Sequence, residues 1–122
     1  MNITCGTDII EIDRIRASAE NEEFIKRVYT EKEIEYCESK KAVKYQHYAA
    51  RFAAKEAVFK AISTFLEDKF DIVWKDVEII NDENGKPKVN FLDKRPEELE
   101  NIDISISHCK LYAVANTVAI WK

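Results

Sequence analysis

Residues 43–66 read VKYQHYAARFAAKEAVFKAISTFL, a run without glycine or proline. It is rich in strong helix formers, so the spacing predicts one long helix. At about 100° per residue, Tyr45, Tyr48, Phe52, Phe59, Ile62 and Leu66 form a bulky stripe, and Ala50, Ala54, Ala57 and Ala61 form a small-residue stripe opposite. A helix with two such faces is packed on both sides. Four charges, Arg51, Lys55, Glu56 and Lys60, stand in RFAAKEAVFKA at its centre.

On either side the pattern changes. Residues 2–10, NITCGTDII, read as a strand with Ile3, Cys5, Thr7 and Ile9 on one face and Asp8 at its end. Helical character begins near Asp13, and FIKRVY, 24–29, reads as a short amphipathic turn. Thr30-Glu-Lys-Glu33 has the form of a capping box, so a helix is expected from there to about Ser39. After the long helix come VEII (77–80), the turn NDENG (81–85) and KVNFL (88–92), a hairpin by its Asn-Gly signal. A short helix is expected from Pro96 to Leu99. IDISIS (102–107) alternates strictly, HCK (108–110) turns, and residues 111–121 form an apolar last strand. One strand, several helices and then antiparallel strands imply an α+β fold, with the helices packed on one face of the sheet.

The bulk composition narrows the function. The 122 residues fit one domain, 1–122, and 46% hydrophobic content suffices for a core. Nineteen Lys and Arg against 23 Asp and Glu give a net charge of −4, a field that repels nucleic acid and anionic membrane. The acidic start MNITCGTDIIEID does not fit a signal peptide, and no run approaches about 18 apolar residues, so a cytoplasmic protein without a membrane span is expected. Cys5, Cys37 and Cys109 are odd in number and lack Cys-x-x-Cys spacing, which points away from disulfides and zinc.

Three places carry potential chemistry. Glu56 projects beside the bulky stripe with Lys60 one turn on; the pair reads either as a solvated helix seam or as a carboxylate and a cation serving a ligand. Asp8 reads as a turn cap or as an oxygen ligand. Two separated carboxylates are few for calcium but suit magnesium, which keeps waters and takes oxygens from substrate phosphates. Ser105-Ile-Ser107-His108 reads as a polar turn or as hydroxyl and imidazole contacts to phosphate. A serine nucleophile is disfavoured because no Gly-x-Ser-x-Gly elbow is present.

Taken together these stretches resemble the 4'-phosphopantetheinyl transferases, specifically their short bacterial holo-acyl carrier protein synthase type. GTDIIEIDRI (6–15) is similar to the family's G-x-D-[IV]-x-x-[IV]-x-R-[IV] block, and RFAAKEAVFKAI to R-F-[AS]-x-K-E-A-x-x-K-A. NDENGKPKV and SISHCKLYAVA are similar to the remaining blocks, in order, so the resemblance spans nearly the whole chain.

The resemblance implies transfer of the phosphopantetheine arm of coenzyme A to a serine of apo-acyl carrier protein, in support of fatty acid biosynthesis. It implies Mg²⁺ held by Asp8 and Glu56, and Lys60 stabilising or protonating the departing phosphate. Arg51 and His108 are implied coenzyme A phosphate contacts, with Lys55 and Ser107 as further ones. Arg14, Arg16, Lys26 and Arg27 are expected to dock the acidic carrier, although Glu20, Glu22 and Glu23 dilute that field. Short family members form homotrimers with active sites shared between subunits. Their glutamate helix runs into a glycine loop, whereas this chain has Ser63-Thr-Phe-Leu-Glu-Asp68, which implies a longer helix and different backbone contacts over 63–70. A non-catalytic carrier-binding or coenzyme A-binding module is the alternative; Asp8, Glu56 and Lys60 together argue against it.

Overall fold

A computed structural model describes residues 1–66 and 72–122. The chain opens with strand β1 (Asn2–Glu11), followed by helices α1 (Ile12–Ser18), α2 (Glu22–Val28), α3 (Glu31–Glu38) and the long α4 (Lys44–Ile62). Strands β2 (Val77–Asn81), β3 (Pro87–Phe91), β4 (Leu99–His108) and β5 (Tyr112–Trp121) follow. They make a three-stranded antiparallel sheet in the order β1-β5-β4 and a separate β2-β3 hairpin. The architecture is α+β, with the helices on one face of the larger sheet.

Helix α4 is the centre of the core. Its alanine stripe (Ala50, Ala53, Ala54, Ala57, Ala61) is buried, and at Gly6 a β-carbon on β1 would stand 2.1 Å from the Ala57 carbonyl oxygen. Only glycine therefore permits this approach of helix to strand. Thr4 Oγ1 donates to the Ala61 carbonyl at 2.5 Å and accepts from the indole N–H of Trp121 at 2.8 Å, tying β1, α4 and β5 together. On the bulky side, Phe52 stacks on Trp74 with ring centres 5.2 Å apart and Phe59 meets the same ring edge-on at 5.3 Å. The capping box forms: Thr30 Oγ1 accepts from the Glu33 amide and Glu33 Oε1 from the Thr30 amide. The Asn-Gly hairpin forms as well, with Gly85 at φ +81° and Asp82 Oδ1 accepting from the amides of Asn84 and Lys86.

Several expectations are corrected. Helix α4 ends at Ile62 and passes into a 3₁₀ turn, Ser63–Phe65, rather than running to Leu66; the rest of the expected 63–70 loop lies, from residue 67, outside the described residues. Pro96 to Leu99 form a turn, closed by the Leu99 amide on the Pro96 carbonyl, and not a helix. Asp8 sits inside β1, opposite Ala115, not at its end. The apolar-looking face of β1 points outward, with Ile3 and Ile9 each 66% exposed, because Thr4, Gly6, Asp8 and Ile10 occupy the side that α4 covers.

Candidate functional site

The Gly6 contact sets the first half of the site. With no side chain between β1 and α4, the next inward residue of the strand, Asp8, arrives beside the last turns of the helix. Lys60 Nζ donates to the Thr7 carbonyl at 2.9 Å and lies 3.3 Å from Asp8 Oδ1. Glu56, one turn earlier on α4, lines the same cleft of about 290 Å³ with Asp8, Arg14, Phe24 and Phe52. Burial pushes the Glu56 carboxyl above its usual range, the Asp8 charge adds to the push, and Lys60 opposes it. Two half-buried carboxylates therefore face one space, with the Lys60 ammonium against Asp8 at its edge. Such a donor set fits a hard divalent cation that keeps some of its own oxygen ligands. Among the described residues no group of three or more His, Cys, Asp or Glu converges anywhere.

The second half lies elsewhere on the same helix. Arg51 is 4% exposed, its guanidinium carbon sits 4.0 Å over the Tyr36 ring, and its Nε finds no hydrogen-bond partner. His108, the last residue of β4, approaches His47, one turn before Arg51, with ring centres 5.7 Å apart. Counting about 100° per residue, Glu56 lies about 140° and Lys60 about 180° around α4 from Arg51. One copy of the chain thus presents the carboxylate pair on one side of the helix and the arginine–histidine cluster on nearly the opposite side.

Lys55 does not serve as a phosphate contact in this structure. It is fully buried, its Nζ lies 2.7 Å from Glu33 Oε1, and it donates to the carbonyls of Val28 at 2.6 Å and Trp74 at 3.0 Å. Three acceptors use all three N–H bonds, and burial pulls its pKa down while Glu33 pushes it back up. Ser107 is exposed and, by strand alternation, points to the face of β4 away from α4, so one copy does not bring it to His108 and Arg51. Arg14 lines the carboxylate cleft, Arg16 pairs with Asp13 and lies over the Tyr45 ring, and Lys26 and Arg27 occupy the last turn of α2. Sequence reasoning missed His47; its spacing, one turn before Arg51, was the available signal.

The model of the 4'-phosphopantetheinyl transferase superfamily matches residues 4–115. A holo-acyl-carrier-protein synthase of Ruminiclostridium cellulolyticum is 48% identical over 125 residues, covering 97% of this chain and 92% of the relative. One from Protochlamydia amoebophila is 45% identical over 130 residues, covering 100% and 99%. The crystal structure of a holo-(acyl-carrier-protein) synthase from Bacillus anthracis in complex with CoA (3',5'-ADP) superposes with a TM-score of 0.79 at 35% identity, over 95% of this chain and 94% of that one. That of Helicobacter pylori in complex with coenzyme A gives 0.80 at 26%, over 95% and 99%. With both halves of the site carried by the matched blocks, the chain belongs to the 4'-phosphopantetheinyl transferase superfamily, among its holo-acyl carrier protein synthases.

Proposed function

We propose that this protein, acting as one domain over 1–122, transfers the 4'-phosphopantetheine arm of coenzyme A to a serine of an apo-acyl carrier protein. Adenosine 3',5'-bisphosphate leaves, and the activity supports fatty acid biosynthesis in the cytoplasm. The observation that carries the reading is the meeting of Asp8 and Glu56 on one cleft, with the Lys60 ammonium 3.3 Å from Asp8, in a chain whose relatives are named for this reaction.

The serine oxygen forms a bond to the phosphorus bearing the pantetheine arm as the pyrophosphate P–O bond to the nucleotide breaks. Glu56, pushed toward protonation by burial and by Asp8, is a suitable acceptor for the serine proton. Lys60, held by the Thr7 carbonyl and Asp8, offers an ammonium to the departing phosphate. Asp8 and Glu56 would hold Mg²⁺, which when bound supplies charge neutralisation on the pyrophosphate oxygens. Arg51, lacking a carboxylate partner among the described residues, and His108 are suited to coenzyme A phosphates. Arg14, in the cleft, and Arg16, with Lys26 and Arg27 behind them, would steer the acidic carrier.

The two halves face opposite sides of α4, which supports a site completed by a neighbouring copy in a homotrimer. The outer sheet face supplies a surface for it: Ile3, Ile9, Tyr112 and Val118 are exposed there. No described helix is long and apolar enough to cross a membrane. Incubation with coenzyme A, Mg²⁺ and apo-acyl carrier protein should add the mass of one phosphopantetheine arm to the carrier. A folded protein that adds no mass to several apo carriers would defeat the reading.

A further inference from the structure

The arginine side of α4 holds one group that the transfer reading leaves unused. His47 is wedged between Tyr36 of α3 and His108 of β4, edge-on to both, with ring centres 5.5 Å and 5.7 Å away. Arg51 covers the Tyr36 ring, and Lys40, from the connection between α3 and α4, lies 4.8 Å from the same ring centre. Lys40, His47 and Arg51 therefore gather around one tyrosine, and His108 stands against His47. Among the described residues none of them makes an ion pair. Arg51 Nε is buried and unpartnered. A cationic cluster with a buried unsatisfied donor is half of an interaction whose other half is an anion.

The protonation of His47 fits that vacancy of charge. Burial first, and then the charges of Arg51, His108 and Lys40, hold its pKa down to about 4, so the ring is neutral near pH 7 without an anion. Tyr36 is a further titratable group packed against it. Two imidazolium rings in edge contact repel, and a dianion between His108 and Arg51 removes that repulsion.

We infer that His47 is a positioning residue for the phosphomonoester of coenzyme A: it fixes the His108 ring edge-on and takes a proton from solvent when the dianion enters between His108 and Arg51. The inference rests on the reading of the protein as a coenzyme A-dependent transferase. The chemistry selects the monoester because it alone brings two charges to one point; the pyrophosphate spreads its charge over two centres.

The sign is fixed by linkage. The complex has a higher His47 pKa than the free protein, so the contribution of His47 to affinity is largest at low pH, falls as pH rises between the two values, and is lost above the higher one. The test uses the full chain and His47→Phe, which keeps an aromatic ring against Tyr36 and His108 but cannot take a proton, with melting curves to show that both fold. Adenosine 3',5'-bisphosphate binding is measured by calorimetry in buffers of different ionisation enthalpy. Wild type should take up more protons than H47F, the deficit being up to one, and H47F should bind about 10-fold more weakly near pH 6 with a smaller loss near pH 8. In transfer assays KM for coenzyme A should rise in H47F with kcat unchanged, and the preference for coenzyme A over dephospho-coenzyme A, which lacks the monoester, should shrink. Equal proton uptake and superimposable pH profiles in the two proteins would overturn the inference and leave the transferase reading standing. A wild-type protein that transfers nothing to any apo carrier would remove the reading beneath it, a separately recognisable result.

Discussion

Lys55 Nζ and Glu33 Oε1 lie 2.7 Å apart with neither side chain reaching solvent, and this ion pair joins α4 to α3. The other Glu33 oxygen accepts the Ile79 amide at 2.8 Å, which brings in β2. Lys60, five residues along the same helix, has a side chain 53% exposed and pairs with Asp8. Two lysines of one sequence block thus do opposite things. Lys55→Ala strands a buried carboxylate and should lower unfolding free energy by about 3 to 5 kcal/mol, with partial recovery on adding Glu33→Gln. Lys60→Ala should change stability by under about 1 kcal/mol while transfer falls steeply. Urea unfolding and carrier mass analysis on the two variants separate the roles.

Gly6→Ala tests the helix–strand contact. The new methyl would stand 2.1 Å from the Ala57 carbonyl and 2.9 Å from the Ala61 nitrogen, both backbone atoms, so the elements must part. Overpacking of this kind should destabilise by about 1 to 3 kcal/mol. Because Asp8 would shift with the strand, kcat/KM should drop more than the folded fraction does, as comparison of melting curves with transfer rates will show.

Glu56 acts as an anion in the proposed reaction, and its pKa is raised. The acid limb of the pH–rate profile should therefore fall at a higher pH than an ordinary glutamate, near pH 4.3, would give. Added Mg²⁺, competing with the proton, should move that limb down. For folding the sign is reversed: a raised carboxyl is a penalty at high pH. The metal-free protein should gain stability as pH drops through the Glu56 value toward that of the unfolded chain. Glu56→Gln should remove that gain and abolish transfer; an unchanged pH–stability curve would place the raised carboxyl elsewhere.

The outer sheet face makes a separate prediction. Val118, 47% exposed, lies opposite Cys5 on β1 and Asp103 on β4. Val118→Glu should dissociate the proposed homotrimer in sedimentation experiments while each copy keeps its helical circular dichroism. Under the proposal that sites are completed between copies, transfer should fall about 10-fold or more at low protein concentration. An intact oligomer from Val118→Glu together with Ile9→Glu would exclude this face as the contact.

Local signals carried well from sequence to structure. The capping box at Thr30 and Glu33, the Asn-Gly turn and the two stripes of α4 depend on neighbours within one or two turns. The two blocks around Asp8 and Glu56 were readable as patterns, and β1 and α4 do bring the two carboxylates to one cleft. What failed depends on distant partners. Nothing within the helix distinguishes Lys55 from Lys60; the difference is Glu33 and the carbonyls of Val28 and Trp74, remote in sequence. Alternation in β1 puts Ile3 and Ile9 on one face without saying which face α4 covers; it covers the other, and both isoleucines are exposed. Pro96 opens only a turn because β4 begins at Leu99 and leaves no length for a helix.

The parity of β1 has a consequence for how this chain can vary. Even-numbered positions carry Thr4, Gly6 and Asp8 toward the helix, and odd-numbered ones carry Ile3 and Ile9 outward. A single-residue insertion or deletion between Asn2 and Gly6 would exchange the two sets, placing Cys5 or Thr7 where Gly6 must be or turning Asp8 to the outside. Such indels should be among the most damaging changes in the molecule, whereas an extra residue in the exposed turn at Glu83 and Asn84 should be absorbed.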